Sequence, residues 1–220
     1  MKKRLTAITL ALAMTLGLAA CGNTSGQNQQ PAGESGQPAS DEPIVLRFAD
    51  TDSADSVAGQ GGQMFCDLVE ERTDGRVVVE YYPASQLGGD KAITEAAIAG
   101  TVDIAKCSNG NFVQFSDALE WVDLPGVLSS VEQVRKLFTS EYRDEVNAQI
   151  LEDTGGIALM FDVDAGEPRA IGSTKKEIRV PADMNGVKVR STGSEIELAL
   201  FNNWGASSTS LDWGEVYTAL

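Results

Sequence analysis

Strand-like runs alternate with helical patterns over residues 44–105, and this alternation restricts the possible folds more than any other feature of the chain. Residues 44–49, 76–82 and 102–105 are rich in β-branched and other apolar side chains, which predicts three strands. Between them, apolar residues recur at spacings of three or four, as in amphipathic helices. A βαβαβ order predicts a mostly parallel sheet with helices on its faces. The chain is therefore expected to be an α/β protein.

Beyond the third strand, the pattern predicts further elements of both kinds. We expect Ser108 to Asn111 to form a polar loop at the carboxyl end of that strand. A single long helix is predicted over residues 130–151, and a strand over residues 156–162. Turn-forming residues follow, and a crossing between two domains is expected near residue 167.

The segment around Arg190 predicts a cation at the edge of a sheet. Val187 and Val189 alternate with charged residues, as in a strand that ends at Arg190. Thr192 and Glu195 have the spacing of a capping box, which predicts that a helix follows. Ligands of open α/β folds bind at the carboxyl ends of strands, and helix amino termini favour anions. Arg190 could clamp a carboxylate there, or it could be a solvated surface arginine.

The amino terminus has the charge order and length of a secretory signal. Lys2, Lys3 and Arg4 precede an apolar run that is too short for a convincing transmembrane anchor. The run ends in Leu-Ala-Ala-Cys-Gly, which resembles the lipobox of bacterial lipoproteins and implies lipidation of Cys21. The alternative is an ordinary signal peptide with an incidental cysteine.

The next residues, 22–43, are rich in Gly, Gln, Asn, Ser and Pro and nearly lack apolar side chains, so we expect a flexible tether. The predicted organisation is a signal peptide at 1–20, the lipidated cysteine and tether at 21–43, α/β domain I at 44–167 and a partial α/β domain II at 168–220.

Composition excludes several classes of function. The chain contains no histidine, which removes Ser-His-Asp and Cys-His catalysis and the usual histidine-rich zinc sites. No pair of acidic residues stands out as an acid/base pair, and we predict neither a cofactor nor a metal. The net charge of -15 disfavours binding to nucleic acid or to an anionic lipid surface through a basic patch.

Two cysteines remain after the leader, Cys66 and Cys107. An exported location would permit a disulfide between them. We favour two buried free thiols, because nothing in the sequence brings their Cα atoms within bridging distance.

Several short motifs are spread over residues 44–220. They are Tyr82-Pro83-Ala84-Ser85-Gln86-Leu87-Gly88, Gly100-Thr101-Val102-Asp103, Leu124-Pro125, Gly166 with Arg169, Gly186-Val187-Lys188-Val189-Arg190, Gly205-Ala206 and Glu215-Val216-Tyr217-Thr218-Ala219-Leu220. With these motifs in the family's order and spacing, the chain resembles the DctP-type solute-binding protein of tripartite ATP-independent periplasmic (TRAP) transporters.

This resemblance implies a two-domain fold like that of type II periplasmic binding proteins. Such a protein is not an enzyme: it closes around a small organic acid and delivers it to a permease with small and large membrane subunits. The family's carboxylate-clamping arginine matches Arg190. A second ligand-facing arginine matches Arg169, with one extra residue between the two. The ring that covers the ligand matches Trp213, and ligand-facing polar positions match Ser108 and Asn111.

Each of these positions also has a plainer interpretation. Trp213 could be a core aromatic residue, Arg169 could pair with Glu167, and Ser108 and Asn111 could be cap and turn residues. Sialic-acid-binding members have glutamate and arginine at the last two positions, so the resemblance favours a smaller or less polar acid. Family members also continue beyond residue 220, so we expect an incomplete second domain and a truncated chain.

The leading expectation is capture of a carboxylate outside the cytoplasmic membrane by a protein held there through a lipid anchor, at the cell surface or in a periplasm. Two alternatives stay open at the level of sequence. One is the binding lipoprotein of an ATP-driven importer. The other is a surface hydrolase, an adhesion module or an inactive fragment on a lipid tether.

Overall fold

The computed structural model describes residues 42–157 and 169–220. The predicted signal peptide and all but the last two residues of the predicted tether lie outside these residues, as do most of the strand predicted at 156–162 and the domain boundary expected near residue 167. The boundary therefore stays a prediction. Within the described residues, no helix is both long enough and apolar enough to cross a membrane.

A three-stranded parallel sheet forms the first part of the fold. Its order is β2-β1-β3, and Phe48 of the central strand lies opposite Tyr81 on one side and Ile104 on the other. The predicted parallel βαβαβ arrangement is confirmed. Its elements are β1 (Ile44–Asp50), α1 (Val57–Arg72), β2 (Val77–Tyr82), α2 (Asp90–Ile98) and β3 (Ile104–Lys106).

The two faces of this sheet are buried by different helices. Phe48 and Ala49 are adjacent in β1, so their side chains point to opposite faces. Phe48 packs with Cys66 of α1, whereas Ala49 packs with Ile93 of α2. Because both faces are covered, the polar groups available to a ligand are those at the ends of the strands.

Short helices follow the sheet. A separate apolar cluster of Leu119, Phe138, Val146 and Ile150 holds them together. The helices are α3 (Asn109–Phe112), a 3-10 helix (Asp117–Asp123), α4 (Val131–Phe138) and α5 (Tyr142–Thr154).

The prediction of one helix over residues 130–151 was wrong, because the chain breaks between α4 and α5. Thr139 donates a hydrogen bond from its Oγ1 to the carbonyl of Arg135 at 2.8 Å, and Ser140 Oγ donates to the Leu137 carbonyl at 2.6 Å. Ser and Thr side chains that bond to nearby backbone in this way compete with helix continuation.

A second, two-stranded sheet carries the segment around Arg190. Its strands are parallel and joined by a helix, and Arg190 lies opposite Thr209. The elements of this part are a 3-10 helix (Pro181–Met184), β4 (Lys188–Ser191), α6 (Glu195–Asn203), β5 (Ser207–Ser210), a 3-10 helix (Trp213–Glu215) and α7 (Val216–Ala219).

The capping box predicted at Thr192 and Glu195 was wrong by two residues. Ser194 is the N-cap of α6, and its Oγ accepts a hydrogen bond from the backbone N–H of Glu197 at 3.4 Å. Both pairs have the same spacing, so local pattern could not distinguish them.

Candidate anion-binding site

Arg190 lies near the carboxyl end of β4, close to the start of α6, as the sequence predicted. Its Nε and Nη2 donate to the carbonyl oxygen of Leu211 at 2.9 and 2.6 Å. Its Cζ is 5.8 Å from the centre of the Trp213 ring, within the range of a cation–π contact. A guanidinium has five N–H groups, so these two bonds leave three for other acceptors.

The charge of Arg190 is only partly compensated. Partial burial lowers its pKa, and the nearby positive charge of Arg169 acts in the same direction, whereas Glu197, Asp90 and Asp212 oppose the shift. An arginine nevertheless stays charged at any physiological pH. Among the described residues no carboxylate lies within ion-pair distance of Arg190. A half-buried cation without an ion pair is suited to binding an anion.

Arg169, the second arginine matched by the resemblance, has a protein partner. Its Nε is 3.1 Å from Oε1 of Glu197, and its side chain is 58% exposed. The structure thus brings Arg169 into the neighbourhood of Arg190 but pairs it with an acid. The partner considered from sequence, Glu167, lies outside the described residues.

Glu197 is a buried acid that sequence reasoning did not single out. Its Oε2 accepts from Ser191 Oγ at 2.7 Å and from Thr192 Oγ1 at 2.6 Å. Burial acts to raise the pKa of Glu197, but these hydrogen bonds and the charge of Arg169 outweigh it, so the pKa is lowered overall. The signal that could have found it is the Ser194-x-x-Glu197 spacing.

Trp213 is 54% exposed, so it is not the core aromatic residue considered from sequence. Its ring covers one side of the Arg190 guanidinium. A large part of the tryptophan side chain is open to solvent. The neighbouring Gly214 approaches Ser85, where a Cβ atom on the glycine would lie 3.6 Å from Ser85 Oγ. The first turn after β5 therefore lies close to the loop that precedes α2.

Ser108 and Asn111 converge on a buried acid, Asp90, at the start of α2. Asp90 is 5% exposed, and its Oδ2 accepts from Ser108 Oγ at 2.7 Å and from Asn111 Nδ2 at 2.6 Å. Its Oδ1 accepts from Thr51 Oγ1 at 2.9 Å. The loop predicted for this segment was wrong, since Ser108 precedes the short helix α3 and Asn111 lies within it.

Asn111 also connects the region beside the three-stranded sheet with the segment around Arg190. Its Oδ1 accepts a hydrogen bond from the backbone N–H of Gly193, which lies between β4 and α6, at 2.7 Å. Asp90 itself was missed from sequence. The available signal was an acidic residue directly after the Pro83–Gly89 loop, at the edge where the parallel strands end.

A second charged cluster lies at the carboxyl edge of the three-stranded sheet. Lys106 Nζ is 3.1 Å from Asp50 Oδ1 and also contacts Asp52 Oδ2. Tyr81 donates from its hydroxyl to Asp50 Oδ2 at 2.7 Å. Burial, followed by the hydrogen bond to Asp50, raises the pKa of Tyr81. Lys106 is therefore already paired with two acids.

Both described cysteines are free thiols. Burial raises the pKa of Cys66 to about 11 and that of Cys107 to about 12, so neither forms an appreciable amount of thiolate near neutral pH. Within residues 42–157 and 169–220, no cluster of cysteine and acidic side chains has a geometry that could hold a metal ion.

A profile of bacterial extracellular solute-binding proteins, family 7, the DctP family, matches residues 48–220. The chain belongs to this family. Its members bind solutes outside the cytoplasm and are not enzymes, so the predicted resemblance to DctP-type proteins and the non-enzymatic interpretation are confirmed.

One curated relative is the C4-dicarboxylate-binding periplasmic protein DctP of Rhodobacter capsulatus. It is 34% identical over 184 residues, which are 83% of this chain and 54% of the relative. The 2,3-diketo-L-gulonate-binding periplasmic protein YiaO of Escherichia coli is 26% identical over 80% of this chain and 52% of its own length. The chain thus spans about half the length of the curated relatives it matches.

A similar solved structure is the TRAP periplasmic solute-binding protein of Pseudomonas aeruginosa with bound L-malate. It has a TM-score of 0.69 and 27% identity, and the match covers 80% of this chain and 60% of the other. The predicted two-domain α/β fold class, with only part of the second domain covered by this chain, is confirmed by such neighbours.

Proposed function

We propose that the protein to which this chain belongs binds a small organic carboxylate outside the cytoplasmic membrane. It delivers this ligand to the small and large membrane subunits of a TRAP-type transporter. Family membership and relatives that bind dicarboxylates and sugar acids support this proposal. The observation that carries it is the half-buried guanidinium of Arg190, which has no ion-pair partner in the described part of the chain.

Arg190 is proposed to clamp the ligand carboxylate. The Leu211 carbonyl fixes the guanidinium through two hydrogen bonds, so little side-chain entropy is left to lose when an anion binds. The remaining N–H groups can form the paired hydrogen bonds that a planar carboxylate accepts from an arginine. Partial desolvation strengthens this interaction relative to a surface arginine.

The other predicted site residues take different roles in this proposal. Trp213 forms a wall beside the bound acid, and Arg169 adds positive charge while remaining paired with Glu197. Ser108 and Asn111 act mainly by positioning Asp90. Closure of the two domains would bury the ligand between the sheets.

Calorimetric titration of the full-length protein with a panel of organic acids tests the proposal. We expect saturable binding of at least one acid and at least a hundredfold weaker binding by Arg190→Ala, with partial retention in Arg190→Lys because lysine cannot form the paired bonds. Arg179→Ala is the matched control, since Arg179 is exposed and pairs with Glu177. Unchanged affinity in Arg190→Ala would remove the assigned role.

We further propose that the leader is removed and that Cys21 becomes lipidated, so that residues 22–43 tether the binding domains to a membrane face. The order of charge, apolar run, small residues and cysteine supports this. Several acyl chains would hold the protein more firmly than one. Metabolic labelling with an alkyne fatty acid should mark the wild type but not Cys21→Ser. Labelling of the Cys21→Ser variant would contradict the proposal.

A further inference from the structure

The segment that follows β5 approaches the loop that precedes α2 at two points. A Cβ atom added to Gly89 would lie 2.7 Å from Asp212 Oδ2, and a Cβ atom added to Gly214 would lie 3.6 Å from Ser85 Oγ. Asp212 and Gly214 are both exposed, so the approach is made at the surface of the molecule. We call the approach of residues 211–214 to the loop 83–89 the edge contact.

The segment that forms the edge contact also holds Arg190. The Leu211 carbonyl accepts two hydrogen bonds from the guanidinium, at 2.9 and 2.6 Å, and the Trp213 ring centre lies 5.8 Å from its carbon. Asp212 and Gly214 are the chain neighbours of these two residues. An anion bound to Arg190 would therefore act on the same short segment that approaches the loop.

One hydroxyl at the edge contact is buried without a hydrogen-bond partner. Ser85 Oγ is buried, and no group of the described residues donates to it or accepts from it. Such a hydroxyl has lost its water without compensation, so it destabilises the conformation in which it is buried. Because the oxygen is covered, a segment outside the described residues could reach it only if the edge contact opened.

The backbone of the loop fixes the direction in which the Ser85 side chain leaves the chain. The Ser85 N–H donates to the Asp50 carbonyl at 3.1 Å, and its carbonyl accepts from the Gly88 N–H at 2.9 Å. Its φ of 59° lies in the left-handed region, which is uncommon for residues other than glycine. Ala84 has a φ of 54°, so alanine is compatible with this loop conformation.

From these observations we infer that Ser85 sets the affinity for the ligand by opposing closure of the edge contact. Its hydroxyl is hydrated when residues 211–214 are away from the loop, and it loses this hydration when they approach. The bonds of a bound acid to Arg190 offset the loss, so the closed form is populated mainly with ligand. This inference rests on the proposed function, because it takes Arg190 as the clamp and domain closure as the response.

The consequence for binding follows from the populations of the two forms. The apparent affinity of a protein is reduced by the fraction of molecules that can adopt the binding form. A group that makes the closed form less stable therefore weakens binding, and its removal strengthens binding. Ser85 keeps the site open to solvent, and to an arriving acid, at the expense of affinity.

Calorimetric titration of the full-length protein with a panel that includes succinate, L-malate and D-galacturonate tests the inference. Ser85→Ala should bind an acid about fivefold or more tightly than the wild type, because the unpaired hydroxyl is gone. Ser207→Ala, which changes an exposed serine of β5, is the control and should bind like the wild type. Unchanged or weaker binding by folded Ser85→Ala overturns the inference and leaves the proposed function intact. Absence of binding by every acid overturns both.

A partner supplied to the hydroxyl gives a second test. Gly214 does not have a positive φ, and outside its chain neighbours a Cβ atom there meets only Ser85 within 4 Å. Gly214→Ser therefore brings a second hydroxyl within hydrogen-bond reach and should tighten binding about threefold or more. In the Ser85→Ala background the same change should give no gain. Gly61→Ser, at an exposed glycine of α1, is the control. No gain, or a gain that persists without the Ser85 hydroxyl, would contradict the inference.

Small-angle scattering gives a readout of closure itself. Without acid, Ser85→Ala should have a smaller radius of gyration than the wild type, closer to that of the acid-saturated protein. Ser207→Ala should match the wild type. If ligand-free Ser85→Ala and the wild type have the same radius of gyration while acid compacts both, the hydroxyl does not oppose closure.

Discussion

Asn111 Oδ1 accepts a hydrogen bond at 2.7 Å from the backbone N–H of Gly193, a residue 82 positions further along the chain. The other end of the same amide donates to Asp90. One small side chain therefore connects the helix after the first sheet with the segment that carries Arg190. Because Asn111 is buried, water could not easily replace it as the hydrogen-bond partner of Asp90 and of the Gly193 N–H.

Asn111→Ala should lower the free energy of unfolding by about 2–3 kcal/mol, since it leaves a buried carboxylate short of a donor and a backbone N–H without its acceptor. Urea unfolding of the full-length protein measures this change. Asn203→Ala is the control, because Asn203 is an exposed residue of α6 and should cost under about 0.5 kcal/mol. If Asn111→Ala and Asn203→Ala lose the same free energy of unfolding, the hydrogen bonds of Asn111 do not stabilise the protein.

Gly110→Ala should also destabilise the protein, by about 1–3 kcal/mol, through a steric clash. A Cβ atom at this position would lie 2.2 Å from Thr192 Oγ1, and that hydroxyl is held by Glu197. Gly61→Ala is a matched control in the interior of α1, where a Cβ atom meets nothing within 4 Å. Gly61→Ala should raise the free energy of unfolding by about 0.5–1 kcal/mol, because alanine favours helices more than glycine does. A higher unfolding temperature for Gly110→Ala than for Gly61→Ala would contradict the close approach of Gly110 to Thr192.

Stability should depend on pH through Glu197, whose pKa is lowered in the folded protein. A lowered folded pKa adds stability that is present above the ordinary carboxyl pKa of 4.5 and is lost as the pH falls through the folded value. Near neutral pH, Glu197→Gln should therefore be less stable than the wild type by about 1–3 kcal/mol. This difference should shrink steadily on acidification below about pH 4.5.

Urea titrations of the wild type and Glu197→Gln across this pH range test the prediction. Glu195→Gln serves as the control, since Glu195 is an exposed acid on the same helix and should give a small difference at every pH. A Glu197→Gln difference that is independent of pH would mean that Glu197 stabilises the fold only by packing.

Trp213 should report ligand binding by fluorescence, because its ring contacts the guanidinium proposed to clamp the ligand. We expect a saturable change in emission when a bound acid is titrated into the wild type, and loss of this change in Trp213→Phe. Trp204→Phe should keep it, since Trp204 packs against Phe201 at the end of α6. If Trp213→Phe keeps the full change in emission, another tryptophan reports the binding and the ligand does not bind beside Trp213.

Local pattern was sufficient for the main elements of the fold. The strands predicted at 44–49 and 76–82 are observed within one residue at each end, because strand formation there follows from contiguous β-branched and apolar residues. The helix predicted over 130–151 failed because its break depends on hydrogen bonds of Thr139 and Ser140, which apolar spacing does not reveal.

The candidate site was predictable only in part. The position of Arg190 between a strand and a helix follows from alternation and capping signals in its own neighbourhood. Asp90 and Glu197 were missed because their importance arises from burial and from partners on other elements. In a chain with 32 acidic residues, sequence alone could not separate these two from the rest.

The sequence by itself determined the alternating α/β architecture, the absence of histidine chemistry and the family to which the chain belongs. Only the tertiary structure decided which charges are neutralised. Arg169 and Lys106 are paired with acids, whereas Arg190 is held by a carbonyl and an aromatic ring. The reason is that an ion pair depends on a few ångströms between side chains, and these distances are set by packing between segments that are distant in sequence.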